Sequence, residues 1–187
     1  RSFGSDASMV ADMVIKELEG LSSQGVFGAV KHFPGQGGVS GDSHDGAVTL
    51  DKSLEELMQT ELVPFQKALE NGVSFVMVGH ISVPQVVGDN TPASLSQMMV
   101  SNVLREQLGY QGIVITDAMN MGAITGTYTA DQAAVMAVNA GVDMILMPQD
   151  YETAYNGLLQ AVQDGTISEE RIDESVERIV KVKLQMQ

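Results

Sequence analysis

Four short apolar runs alternate with longer stretches of helical spacing, and this alternation predicts an α/β chain of four strand–helix units around a parallel sheet. Two further observations carry the reading. The runs are continuous rather than alternating in polarity, as in strands covered on both faces. A glycine also stands before each run, at Gly25, Gly72, Gly109 and Gly141. There a preceding helix can end in the left-handed conformation that glycine adopts without steric cost.

The elements follow in order. Residues 5–23 read as a helix, because Met9, Met13, Val14, Leu18 and Leu21 recur at helical spacing. Residues 26–30 form the first strand. Ser53-Leu54-Glu55-Glu56 has the form of a capping box and opens a helix to residue 71. Residues 73–78 are the second strand, 94–108 a helix and 113–115 the third strand. Thr129-Ala130-Asp131-Gln132 is another capping box, with a helix to residue 140 and a fourth strand over 142–147. Helices over 152–163 and 168–184 close the chain.

Polar residues fall at the ends of these strands: Lys31 and His32, His80, Asp117, and Pro148 with Asp150. Parallel strands point their C-terminal ends one way, so these groups share one rim, where (β/α) barrels carry their sites. A full barrel takes about 250 residues, and the chain has 187. Arg1-Ser2-Phe3-Gly4 reads like the tail of a loop after an earlier strand. The expectation is the C-terminal half of a TIM-like (β/α)8 barrel. A free-standing four-stranded sandwich would leave two sheet edges open.

The net charge of −14 argues against a nucleic-acid partner, since phosphates demand a basic face. No run approaches the ~20 apolar residues of a membrane span. The absence of Cys excludes disulfides, thiolate catalysis and Cys-ligated zinc, and leaves the compartment open.

Asp117 ends the apolar run Ile113-Val114-Ile115-Thr116. A carboxylate there fits a nucleophile, a metal ligand or a helix cap. His44 lies two residues after Asp42. An imidazole exchanges protons near neutrality and a neighbouring carboxylate orients it, although Asp and Ser also make ordinary turns. Ser43 lacks a nucleophile elbow. Lys31, on a strand, needs an acceptor: a sugar hydroxyl, a carboxylate, or a salt bridge within the barrel. His80 fits a structural hydrogen bond within the rim better than catalysis. Gly35-Gln36-Gly37-Gly38 lacks the Walker and Rossmann spacings and reads as a mobile segment carrying His44. Nothing calls for a cofactor. His-x-His and His-Glu-x-x-His spacings are absent, which weakens a metal-dependent hydrolase built on His32, Asp42, His44 and Asp117.

Lys31-His32-Phe33-Pro34-Gly35, Gly41-Asp42-Ser43-His44, Pro92-Ala93-Ser94-Leu95-Ser96, Leu104-Arg105 with Leu108-Gly109, and Ile115-Thr116-Asp117-Ala118-Met119 together resemble the family 3 glycoside hydrolases. The Asp-Ser-His loop is similar to that of the β-N-acetylglucosaminidase branch; β-glucosidases of the family lack it. The resemblance covers essentially the whole chain. It implies Asp117 as nucleophile, His44 as general acid/base with Asp42 its partner, and Lys31, His32 and Arg1 as sugar-binding residues. It implies a retaining hydrolase that removes terminal β-linked N-acetylglucosamine through a glycosyl-Asp intermediate. The usual substrates of the branch are peptidoglycan fragments, with chitin oligosaccharides second. It also implies that residues 1–187 are one domain, the C-terminal part of the barrel, whose partner is an absent N-terminal half bearing a further sugar-gripping Asp. Gln36 departs from the pattern, because the family usually has His there. A phosphorylase using the same intermediate and a non-catalytic sugar-binding half are the alternatives.

Overall fold

The computed structural model describes residues 3–39, 46 and 48–185. Arg1, Asp42, Ser43 and His44 lie outside the described residues. Helix α1 (Ala7–Ser22) leads into strand β1 (Ala29–Phe33). The short strand β2 (Val48–Thr49), helices α2 (Leu54–Gln59) and α3 (Leu62–Glu70), and strands β3 (Phe75–Val78) and β4 (Ile81–Ser82) follow. Next come the short helix α4 (Pro84–Val87), a 3-10 turn (Ala93–Leu95), a wide π-helix (Met98–Gln107) and strand β5 (Ile113–Ala118). Helices α5 (Gly122–Thr125) and α6 (Ala130–Ala140), strand β6 (Met144–Leu146), and helices α7 (Tyr151–Gln163) and α8 (Glu169–Gln185) complete the order.

β1, β3, β5 and β6 form one sheet in sequence order, and every pairing is parallel. Sequential parallel strands joined through helices are the architecture of half a (β/α) barrel, as the sequence predicts. β2 and β4 make a separate parallel pair beside it. The local signals act as expected. Glu56 accepts from the Ser53 N–H at 2.8 Å, and Gln132 accepts from the Thr129 N–H at 3.1 Å, completing the start of α2 and of α6. Gly25, Gly72, Gly109 and Gly141 all have positive φ. Asp150 caps α7 by accepting from the Thr153 N–H at 2.7 Å, so it is a structural residue.

Three elements depart from the sequence reading. The first strand starts later than the apolar run over 26–30, and Val26 is half exposed in the preceding loop. The helix expected over 53–71 breaks at Thr60 (φ −132°, ψ −88°), whose hydroxyl donates to the Glu56 carbonyl at 2.7 Å. The helix expected over 94–108 is a 3-10 turn followed by a π-helix, and the Leu108 N–H reaches back five residues to the Val103 carbonyl at 3.0 Å.

The main core lies between one face of the sheet and the helices. Val30, Val76, Val78 and Val114 meet Leu57, Leu62, Phe65, Met99 and Leu104 there, and Phe33 packs edge-on against Phe65 with ring centres 5.4 Å apart. The opposite face differs. Phe75, Met77, Ile115 and Met144 are only half buried, so the described residues cover that face incompletely. Below the sheet, the buried Asp143 carboxylate accepts from Arg105 (2.5 Å), Arg178 (3.1 Å), the Ser175 hydroxyl (2.7 Å) and the Val114 N–H (2.9 Å). It ties the π-helix, β5, β6 and α8 together.

Candidate active site

The C-terminal ends of β1, β3 and β5 bring three sequence-predicted residues into one place. Thr116 is fully buried, and its hydroxyl accepts from the Leu146 N–H at 3.0 Å, which ties β5 to β6. Strand alternation then turns Asp117 to the other face. Its side chain keeps 19% of its surface exposed. Oδ1 accepts from the Ala118 N–H at 2.8 Å, and Oδ2 lies 3.4 Å from Nε2 of His32. Asp117 is therefore a strand residue with one oxygen held by backbone and the other aimed at an imidazole. Of the three roles open to it, the helix cap is not the one it takes.

His32 reaches Asp117 from two strands away, since β3 lies between β1 and β5. Gly79, just past β3, makes the crossing possible: a Cβ there would sit 3.1 Å from the His32 Cβ. The Lys31–His32 and Phe33–Pro34 peptide bonds are both cis. Lys31 is exposed, in the same strand as the buried Val30.

His80 is buried, with 1% of its surface exposed. Its Nδ1 is 2.8 Å from the Ser94 hydroxyl and its Nε2 3.0 Å from the Ala118 carbonyl. Burial pushes its pKa below the ordinary value; the Ala118 carbonyl and the Asp117 charge oppose that only in part. This is the structural hydrogen bond in the rim that the sequence suggests.

The glycine loop after β1 is packed where it is described. Gly35 has φ +136°, and a Cβ on it would meet the Glu61 Cβ at 2.6 Å. A Cβ on Gly38 would meet Glu61 Oε1 at 2.8 Å. Glu61 in turn accepts from Lys52 at 2.6 Å. These two glycines serve close approach to a neighbouring carboxylate, and the part of the segment that carries His44 lies outside the described residues. Sequence reasoning did not find Glu61, Gly79, Ser94 or Thr116. Ser94 stands within a motif that drew notice, but only the fold shows that its hydroxyl meets His80.

A strand-borne carboxylate beside an imidazole, on the open face of a parallel half-barrel, suits attack on an electrophilic carbon by a fixed oxygen. The chain is similar over nearly all of its length to known proteins. The family model described as Glycosyl hydrolase family 3 N terminal domain matches residues 1–182. A solved family 3 β-N-acetylglucosaminidase from a Paenibacillus species superposes with a TM-score of 0.96 at 40% identity, over 99% of this chain and 36% of that one. A β-N-acetylglucosaminidase/β-glucosidase of Cellulomonas fimi is 33% identical over 98% of this chain and 34% of its own length. A β-hexosaminidase of Mycobacterium tuberculosis is 36% identical over 98% of this chain and 48% of its own length. The chain thus spans between a third and a half of these curated relatives.

Proposed function

Because this chain belongs to glycosyl hydrolase family 3, we propose that the intact protein is a retaining β-N-acetylglucosaminidase with Asp117 as nucleophile. The observation that carries the proposal is the Asp117 carboxylate, fixed at a strand end with Oδ2 facing His32 at 3.4 Å. Oδ2 attacks the anomeric carbon of a terminal β-linked N-acetylglucosamine. The bond to the leaving oxygen breaks with its electron pair, and that oxygen takes a proton from His44, which Asp42 orients. Water then attacks the glycosyl ester and gives its proton to His44. The carbon–Asp117 bond breaks, and two displacements from opposite faces, each inverting the anomeric carbon, leave the configuration retained. Lys31, His32 and Arg1 grip sugar hydroxyls. Fragments of peptidoglycan are the proposed natural substrate class.

The same proposal makes residues 1–187 the C-terminal half of a barrel whose other half belongs to the same protein. Its support is the uneven covering of the molecule. The inner face of the sheet is half buried, Met9 and Met13 of α1 are exposed on one flank, and Tyr151, Tyr155 and Leu159 of α7 are exposed on the other. Strands and helices beyond both edges would bury all three surfaces.

The test is hydrolysis of aryl β-N-acetylglucosaminides of graded leaving-group acidity by the full-length protein. Asp117→Ala is expected to abolish turnover of every substrate. His44→Ala is expected to cost roughly 10²–10⁴-fold with poor leaving groups and little in the glycosylation step with highly activated ones. Equal losses across the series would sink His44 as the acid. A sugar phosphate, formed only when phosphate is added, would convert the reading to a phosphorylase.

A further inference from the structure

Resting on the reading of Asp117 as nucleophile, we propose that His80 is its positioning residue, a neutral imidazole of fixed tautomer that holds residue 118 and through it the carboxylate. A carbonyl oxygen only accepts, so the ring nitrogen 3.0 Å from the Ala118 carbonyl, Nε2, carries the hydrogen. Nδ1 is then the bare nitrogen and accepts from the Ser94 hydroxyl at 2.8 Å. Ser94 is fully buried, and its N–H donates to the Gly79 carbonyl at 3.3 Å. The residue before His80 and the residue hydrogen-bonded to it are thereby joined in one closed unit.

Ala118 is gripped from two sides. Its N–H holds Asp117 Oδ1 at 2.8 Å, and its carbonyl is held by His80. The next N–H, of Met119, donates to the Leu146 carbonyl at 2.9 Å. If residue 118 turns, the N–H that anchors the carboxylate turns with it. Such attack needs the reacting atoms within about 3.5 Å and aligned, and a 1 Å displacement costs about 100-fold. Neutrality also matters. A protonated ring beside Asp117 would offset the charge that makes the oxygen nucleophilic, and the burial of His80 opposes protonation.

Two amides separate the two ring contacts. Gln carries its amide nitrogen near the place of Nε2, so His80→Gln keeps a donor for the Ala118 carbonyl. His80→Asn reaches only the place of Nδ1 and keeps the Ser94 contact alone. The full-length native protein and both variants are treated with a 5-fluoro glycosyl fluoride of N-acetylglucosamine, and labelling of Asp117 is followed by mass spectrometry. Steady-state hydrolysis and melting temperature are measured alongside. Labelling and kcat are expected to fall about 100-fold in His80→Asn with KM nearly unchanged, and to stay within about tenfold of native in His80→Gln. Native protein labelled at Asp117, with both variants folded and reacting alike, overturns the inference and leaves the nucleophile standing. Native protein unlabelled at Asp117 overturns both. Nitrogen-15 NMR of the histidine rings gives a readout that needs no variant to fold. A hydrogen on Nε2 and a bare Nδ1 are expected for His80, and an imidazolium or an Nδ1–H tautomer would overturn the inference.

Discussion

A methyl group at Gly79 would stand 3.1 Å from the Cβ of His32, close enough that the imidazole must give way. Gly79→Ala in the full-length protein should therefore lower kcat/KM on an aryl N-acetylglucosaminide by about tenfold or more, through displacement of His32 from Asp117. Its melting temperature should move little, because the glycine φ is not in the left-handed region. His80 gives a second expectation. Its folded pKa lies below the ordinary value of 6.5, chiefly through burial. Below pH 6.5 the unfolded chain therefore binds a proton that the folded one refuses. The stabilising contribution is complete above that pH and is lost as the pH falls from it towards the folded value. His80→Gln removes this dependence. Urea unfolding on both sides of pH 6.5 should show native stability falling more steeply with acid than the variant's, by at most about 1.4 kcal/mol per pH unit. An equal slope would mean that His80 is protonated alike in both states. Asp117 and His80 were legible in the sequence because a polar residue at the end of an apolar run is conspicuous. Gly79 was not, since nothing in a Gly-His pair tells of a side chain arriving from another strand.

Among the elements, the turn after β1 depends on two glycines that touch Glu61. Gly35→Ala would force both a strained φ and a Cβ contact of 2.6 Å with the Glu61 side chain. The expected cost is about 2–3 kcal/mol in chemical unfolding of the full-length protein. A neutral substitution would show that Glu61 swings aside freely. The starts of α2 and α6 were legible because capping boxes are local, made by residues three apart. The π-helix was not. Its buried Met99, Val100, Val103 and Leu104 suit an ordinary helix equally well, and only the bond from Leu108 to Val103 reveals the wider turn. The late start of β1 was hidden for a related reason: Val26 is apolar, yet it sits half exposed in a loop.

Across the whole molecule, strand order and the common rim followed from the regular alternation of runs and glycines. What the sequence left hidden was the inequality of the two sheet faces. Phe75, Met77, Ile115 and Met144 are as apolar as their buried neighbours, but only the fold shows them half covered. Residues 1–187 produced alone should therefore bind a hydrophobic dye and associate with rising concentration, as followed by sedimentation. Both signals should fall when the remaining part of the barrel is added. A monomer that binds no dye would count against the half-barrel proposal. Asp143→Ala should cost about 3–5 kcal/mol in urea unfolding of the full-length protein, because it strands partly buried guanidinium groups. The same carboxylate sets an order of events on the ribosome. Arg105 precedes Asp143 by 38 residues, whereas Ser175 and Arg178 follow it by 32 and 35. At about 5–20 residues per second, Asp143 waits roughly 2–7 seconds for its last partner to be synthesised. The lower end of the sheet is thus completed only after α8 has been synthesised. On a stalled nascent chain, the pulling force of folding should appear only after Arg178 has cleared the exit tunnel.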